Sequence, residues 1–463
     1  MAAIIGVINF DMAKIRRLFE TSLLLNFEHP EDALDRYWTG FLQTDLGKIY
    51  QAIPWGELIK VFRLKDHHLG RRATFSPQGK LALMFLKHYA NCSDQQLVEQ
   101  LSGNLYYQLF CGVRIAPDQP LTDGKLVSEI RCSLAKKLQI DQAQAVLAQH
   151  WLPYMQQTDI VLMDATCYES AVRYPTDQKL LWEAVEWSYQ QLCSHCKYLG
   201  IRRPRTKYRK WKARYESYRR LRRKPAGRRR SITGGLLRLF AKLDEALTQL
   251  EQEELALSKA YFGKRELMQR AYRQQFGKFY EGADIKGRII SFAKPYLRPI
   301  VRGKEVKRVE FGAKVNKFQV DGINFIQRLD FNAFHEGGEL ASTVGKAAKL
   351  FGKVNCIGAD AIYATNRNRS WCTSQHIKTD FKRKGRAGKF EDHRKILAKQ
   401  IRRERATRLE GSFGNEKNRY GLQRIKARGQ PTEILWIFFG IHTPNALQIG
   451  RRIEQHNALR QAA

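Results

Sequence analysis

Acidic residues are the scarce ones in this 463-residue chain: 45 Asp and Glu stand against 81 Lys and Arg, a net charge of +36. A compact state with that excess repels itself unless a polyanion screens it. Nucleic acid is the natural screen, because each neutralised phosphate releases a condensed counterion. Long apolar runs are missing too. The longest, Ile434 to Ile441, falls far short of the ~20 residues that cross a bilayer. The N-terminus, MAAIIGVINFD, has neither the basic start nor the cleavage site of a signal peptide. A cytoplasmic, nucleoid-associated protein with no membrane partner is therefore expected. Cysteine is sparse: eight residues scattered over the chain make no disulfide framework. Cys193-Ser-His-Cys196 could begin a zinc site, but no second CxxC and no HxxxH appears elsewhere to complete four ligands, so reduced thiols on a helix are expected. What the chain does have, 43% hydrophobic and 11% aromatic residues, suffices for two or three domains with real cores.

The first 152 residues read as an all-α domain. Gly79 to Ala90 has apolar residues at helical spacing, and Ser93 with Gln96 forms a capping box. Asn104 to Phe110 is a third segment, and Leu126 to His150 continues as amphipathic helix. The tight Asn91-Cys92-Ser93 connection fits a DNA-binding helix-turn-helix, with Arg71 and Arg72 nearby for phosphates, or equally an ordinary helical hairpin. From 153 to 463 an α/β domain is expected. Strand patterns occur at Asp159 to Asp164, Arg288 to Ala293, Val309 to Val320, Ile323 to Phe331, Lys353 to Asp360 and His376 to Phe381. Asp321-Gly322 is the turn of a hairpin, Val344 to Phe351 a helix, and Phe390 to Tyr420 one long basic helix or two.

An insertion at about 180–282 interrupts this domain. Lys197 to Arg230 carries 17 Lys or Arg and one acidic residue, Glu216. Tyr208, Trp211, Tyr215 and Tyr218 recur there at spacings of three and four, so they share one helical face. Pro225-Ala-Gly227 breaks the helix and Leu236 to Leu257 resumes it, giving a helical hairpin. So dense a cationic helix suits the tracking of a DNA backbone, with Trp211, Arg214, Arg219, Arg220, Arg222 and Arg223 as candidate contacts. An RNA-binding or purely solubilising arm would have the same composition.

Two of the strands, Val161-Leu-Met-Asp164 and Cys356-Ile-Gly-Ala-Asp360, end in a carboxylate. A lone Asp at a strand end is usually a turn former or a helix cap. Two of them on adjacent strands would repel strongly unless divalent cations neutralise them. Glu410, on a helix rich in Lys and Arg, could complete such a cage. Phe413 and Lys417 share its face, and Lys417 stands ~10 Å further along the axis, in reach of a phosphate.

The order strand–Asp, strands, helix, strand–Asp, helix–Glu resembles the RNase H-like core of bacterial insertion-sequence transposases of the DDE type. The strings that carry the resemblance are Asp164-Ala-Thr with Tyr174-Pro-Thr-Asp177 and Leu180-Leu181; Val309 to Lys314; Ala359-Asp360 with Tyr363; and Leu409 to Gly414 with Lys417 and Tyr420 to Arg424. Phe75 to Arg131, with Leu97 to Leu101 and Pro117-Asp118, is similar to the helical DNA-binding region upstream in such enzymes. The resemblance implies that Asp164, Asp360 and Glu410 are catalytic and hold two Mg²⁺ (or Mn²⁺) ions. It further implies double-stranded DNA as substrate, both terminal inverted repeats and target, and a homodimer on that DNA. Related enzymes often carry Tyr and Arg seven and four residues before the Glu; here those places are Arg403 and Ala406. Arg402, Arg405 and Arg408 are left to reach phosphates from other positions. Two alternatives share these features: a structure-specific nuclease on the same core, and a nucleic-acid-binding regulatory protein with idle carboxylates.

Overall fold

The computed structural model describes residues 15–17, 34–66, 73–253, 256–301 and 309–462. Two compact units divide the chain: residues 1–170, 314–330 and 334–463 form one, and 171–313 with 331–333 the other.

The first unit begins with strand β1 (Ile15–Arg17) and helices α1 (Leu34–Gln43), α2 (Asp45–Gln51), α3 (Trp55–Val61), α4 (Pro77–Ala90), α5 (Asp94–Gly103) and α6 (Leu105–Cys111). Strand β2 (Val113–Ile115) and helices α7 (Lys125–Ala135) and α8 (Ile140–Trp151) follow. Local chemistry sets these boundaries. Ser76 accepts from the Gly79 amide to start α4, Asn91 closes it in the left-handed region, and Ser93 with Gln96 makes the expected capping box of α5. Two expectations are corrected. Leu126 to His150 is two helices, not one, because Lys137 and Leu138 both turn back onto the Leu134 carbonyl. The bend lets Val127, Ile130 and Leu134 on one side and Ala143, Leu147 and Trp151 on the other all reach the core. The region is also not purely helical, since β1 pairs antiparallel with β2. In the α4–α5 hairpin, α4 is buried over most of its length, while α5 shows Gln95, Gln96, Glu99 and Gln100 to solvent and no cation. Arg71 and Arg72 lie outside the described residues.

Strand β3 (Ile160–Ser170) closes this part, and the chain enters the second unit. There it forms helices α9 (Asp177–Tyr198), α10 (Tyr208–Arg220), α11 (Ala226–Leu250) and α12 (Lys259–Phe276), strand β4 (Pro299–Val301) and the start of β5 (Val309–Val320). The shared aromatic face of α10 turns inward: Tyr208, Tyr215 and Tyr218 are buried, and Trp182 of α9 stacks on Tyr215 at 4.9 Å. Burying each such ring contributes about 2 kcal/mol or more. Trp211 lies across α11 so closely that a Cβ on Gly235 would sit 1.8 Å from its ring, which is why glycine stands there. Helix α11 starts at Ala226 rather than Leu236, since Pro225 favours the start of a helix as readily as it breaks one. Buried Arg265 ties α12 to α11 through Asp244 (3.0 Å) and Glu251. The strand expected at Arg288 to Ala293 is absent. The Ile289 amide bonds instead to the Gln274 side chain at 3.0 Å, and β4 forms later.

Back in the first unit come β6 (Ile323–Asp330), α13 (Leu340–Phe351), β7 (Cys356–Ala359), α14 (Asn366–Ser374), β8 (Lys378–Thr379), α15 (Glu391–Glu404), α16 (Gly411–Arg419), β9 (Arg424–Ile425) and α17 (Gln430–Ala462). They form a mixed sheet with flanking helices. Its order is β6, β5, β3, β7, β8, with β9 against the far end of β3. Strands β3, β7, β8 and β9 pair in parallel, and β5 with β6 antiparallel. The β5–β6 hairpin turns at Asp321 (φ 48°) and Gly322 (φ 82°), the positive-φ pair that a tight two-residue turn requires. The apolar run at Ile434 to Ile441 is core, with Phe439 edge-on to Phe85 at 4.8 Å. No helix among the described residues is long and apolar enough to cross a membrane.

Candidate active site

Strand β3 does not stop at Asp164. It runs six residues further, to Ser170, so Asp164 sits mid-strand. What stops there is its pairing with β7: the parallel register couples Ile160 with Cys356 and Met163 with Ala359, and β7 then ends. The next residue on each chain is Asp164 and Asp360. The ladder thus opens where the two carboxylates stand side by side: β3 runs straight on, while the chain after β7 turns at Asp360 into a short 3-10 helix, Ala361–Tyr363.

Alternation along β3 sends every second side chain to one face, and that face meets α15, α16 and α17 in sequence. Leu162 packs on Ile401 and Leu409. Asp164 meets Arg405. Thr166 accepts from Lys417 Nζ at 2.9 Å, the Tyr168 hydroxyl donates to Glu416, and Ser170 donates to Glu433 at 2.6 Å. Gly358 of β7 permits the close approach, since a Cβ there would lie 2.4 Å from Ile401.

Between α15 and α16 the helix widens into a single π-turn, Arg405–Glu410. In it residues five apart, rather than four, stand one above the other. Arg405 therefore takes the place beside Glu410 that Ala406 would hold in a regular helix. Its guanidinium touches all three carboxylates. Nη1 lies 3.4 Å from Glu410 Oε1 and 4.0 Å from Asp164 Oδ2, and Nη2 lies 4.0 Å from Asp360 Oδ1. Its Nε is buried without a hydrogen-bond partner.

Asp164 is the most enclosed of the three. Burial lifts its pKa to about 6; Glu336 and Asp360 push the same way, against the Ala165 amide and Arg405. Glu336 was not legible in the sequence beyond a short acidic, glycine-rich string, His335 to Glu339. It follows β6, is buried, and pairs with Lys314 at 2.7 Å. Asp380, just past β8, accepts from the Ala359 amide at 3.2 Å, and burial raises its pKa as well. Tyr363 lies beneath, donating to Asn316 Oδ1 at 2.7 Å.

Residues expected to touch DNA are dispersed. Arg405 joins the carboxylates, and Lys417 stands over the same face two residues along β3. Arg408 points elsewhere, paired with Glu404 at 2.9 Å and Asp321 at 3.7 Å. In the second unit Arg214, Arg219, Arg220, Arg222 and Arg223 are exposed, whereas Trp211 is packed on Gly235 with Arg214 over its outer face at 5.1 Å. Cys193 and Cys196 are free thiols on α9.

Among the described residues no three His, Cys, Asp or Glu side chains stand close enough to grip a cation as placed. The donor set nevertheless fits one. Three carboxylates face a single positive charge, all oxygen donors of the kind that hard divalent ions take.

Residues 357–438, which include Asp360 and Glu410, match the family model described as "Transposase DDE domain". Residues 41–132 match one described as "Transposase domain (DUF772)". The chain carries the domains of a DDE transposase of the insertion-sequence kind. The second match spans the helices from the end of α1 to α7, so the transposase has its helical region upstream of the sheet. It is also 27% identical over 160 residues to "Uncharacterized protein ORF8 in nfe locus" of Rhizobium meliloti, covering 34% of this chain and 74% of that one. No solved structure matches the transposase.

Proposed function

We propose that this transposase cuts the ends of its element and joins them to target DNA by cation-dependent phosphoryl transfer, on an RNase H-like core. One observation carries the reading. Asp164, Asp360 and Glu410, from two parallel strands and a helix, meet around one guanidinium in a chain with transposase domains. These three would hold Mg²⁺ or Mn²⁺, two ions, which when bound would activate the attacking oxygen and stabilise the leaving one. Lys417 and Arg405 would orient the scissile strand through its phosphates. The mixed sheet would fix the carboxylates, and the cationic helices of the second unit would hold duplex DNA along its backbone. A homodimer on paired ends and a cytoplasmic, nucleoid-associated place of action accompany this reading.

The test is excision and re-insertion of a marked element built from the DNA flanking this gene. Movement with the wild type that vanishes in Asp164→Asn, Asp360→Asn and Glu410→Gln, with DNA binding kept, is the expected result. Movement that survives any of the three would overturn the assignment. Cleavage without joining would point to a nuclease, and binding alone to a regulatory protein.

A further inference from the structure

Three carboxylates gathered in one place need a counter-charge even before any metal arrives. The first unit supplies one from its own chain, and we infer that Arg405 is a resident stand-in for the cations, displaced when they load. The inference rests on the carboxylates being the metal site. Three features of the side chain support it. It reaches Asp164, Asp360 and Glu410 at once, with guanidinium nitrogens 3.4–4.0 Å from their oxygens. The π-turn is what aims it there, because regular helical spacing would put Ala406 beside Glu410.

The third feature is that the grip is incomplete. None of the three contacts forms a well-aligned hydrogen bond, two of them being 4.0 Å long, and Nε is buried without a partner. A guanidinium held by bidentate bonds would be costly to remove; this one holds its place by charge more than by geometry. A divalent ion seated among the same oxygens would face a fixed positive charge a few ångströms away, so loading and departure of Arg405 are linked. Arg405 is itself mostly enclosed, while Asp360 and Glu410 are about half exposed, leaving an exit on their side. Once out, the guanidinium is free for a backbone phosphate. Metal loading and the grip on DNA would then share one side chain, and the cation-free protein would be spared the repulsion of an empty cage.

Two measurements without DNA and without turnover test this. In the first, Mn²⁺ binding is titrated by electron paramagnetic resonance on the wild type, Arg405→Met and Arg405→Met/Glu410→Gln. The single variant should bind at least tenfold more tightly than the wild type, and the double variant should lose that gain. In the second, phenylglyoxal labelling of the wild type is mapped by mass spectrometry. Arg405 should become more reactive on addition of Mg²⁺, with exposed Arg403 as the unchanged control. Equal Mn²⁺ affinity in wild type and Arg405→Met, or Arg405 labelling that Mg²⁺ leaves unchanged, overturns the stand-in role while the metal site survives. No Mn²⁺ bound by either protein overturns the metal site and the stand-in together. The labelling arm uses the wild type, so it holds even if the variants fold poorly.

Discussion

Burial holds the pKa of Asp164 near 6 in the folded chain, against ~3.9 in an unfolded one. The folded state therefore takes up the proton first, and stability falls as pH rises from about 4 to about 6. The full penalty, on the order of 3 kcal/mol, is present above that window and relieved below it. Asp164→Asn removes the charge but keeps an oxygen for the Ala165 amide. The cation-free variant should melt several degrees higher than the wild type at pH 8, with the gap closing by pH 4. Equal melting at pH 8 would mean that Arg405 and the Ala165 amide offset the burial cost completely. An enclosed carboxylate retained at such a cost is what a functional site leads one to expect.

At the scale of elements, the helix bearing Glu410 is fastened to the sheet by a buried ion pair. Lys317 of β5 lies 2.7 Å from Glu416 of α16, both side chains almost wholly buried. Tyr168 of β3 donates to the same carboxylate, and Lys317 also stands over the Phe413 ring at 4.3 Å. Burial lowers the lysine pKa and Glu416 counteracts it, so the pair depends on both members. Glu416→Ala should cost about 3–5 kcal/mol in urea unfolding of the first unit, because it strands a buried charge. Lys317→Met combined with Glu416→Leu should recover most of that loss. A Glu416→Ala protein as stable as the wild type would show that the pair does not anchor the helix. The pair also explains why a segment so rich in cations lies against the sheet: Glu416, Leu409 and Ile401 face inward, and the arginines are left to Glu410's surroundings and to solvent.

For the whole molecule, the +36 charge is concentrated where the second unit shows its surface. Helix α10 buries its tyrosines and so presents a firm cationic face. Substituting Arg219, Arg220, Arg222 and Arg223 together by Ala should weaken duplex DNA binding without unfolding the bundle, since all four are exposed. It should also flatten the plot of log affinity against log salt by about 3 to 4 if each meets a phosphate. Unchanged affinity and slope would remove this arm from the DNA interface.

The sequence by itself determined what depends on local chemistry and on pattern. It settled the capped helices α4 and α5, the Asp321-Gly322 hairpin, the strands β5 and β6 on either side of it, the aromatic face of α10, and the two apolar strands that lead up to Asp164 and Asp360. Each follows from backbone preferences or from a period of 2 or 3.6 that short segments carry on their own. The tertiary structure decided the rest. That Asp164 lies mid-strand follows from the register with β7 and β9, which are distant in sequence. That Tyr208, Tyr215 and Tyr218 pack as core follows from what the other helices of the bundle present to them. That Glu336 and Asp380 come near the site follows from loops with no period to read. That Arg405 rather than Ala406 stands beside Glu410 follows from one wide helical turn. No propensity marks that turn; the packing of Ile401 and Leu409 on Leu162 fixes the helix on either side of Arg405 and Ala406, and the extra residue is taken up between.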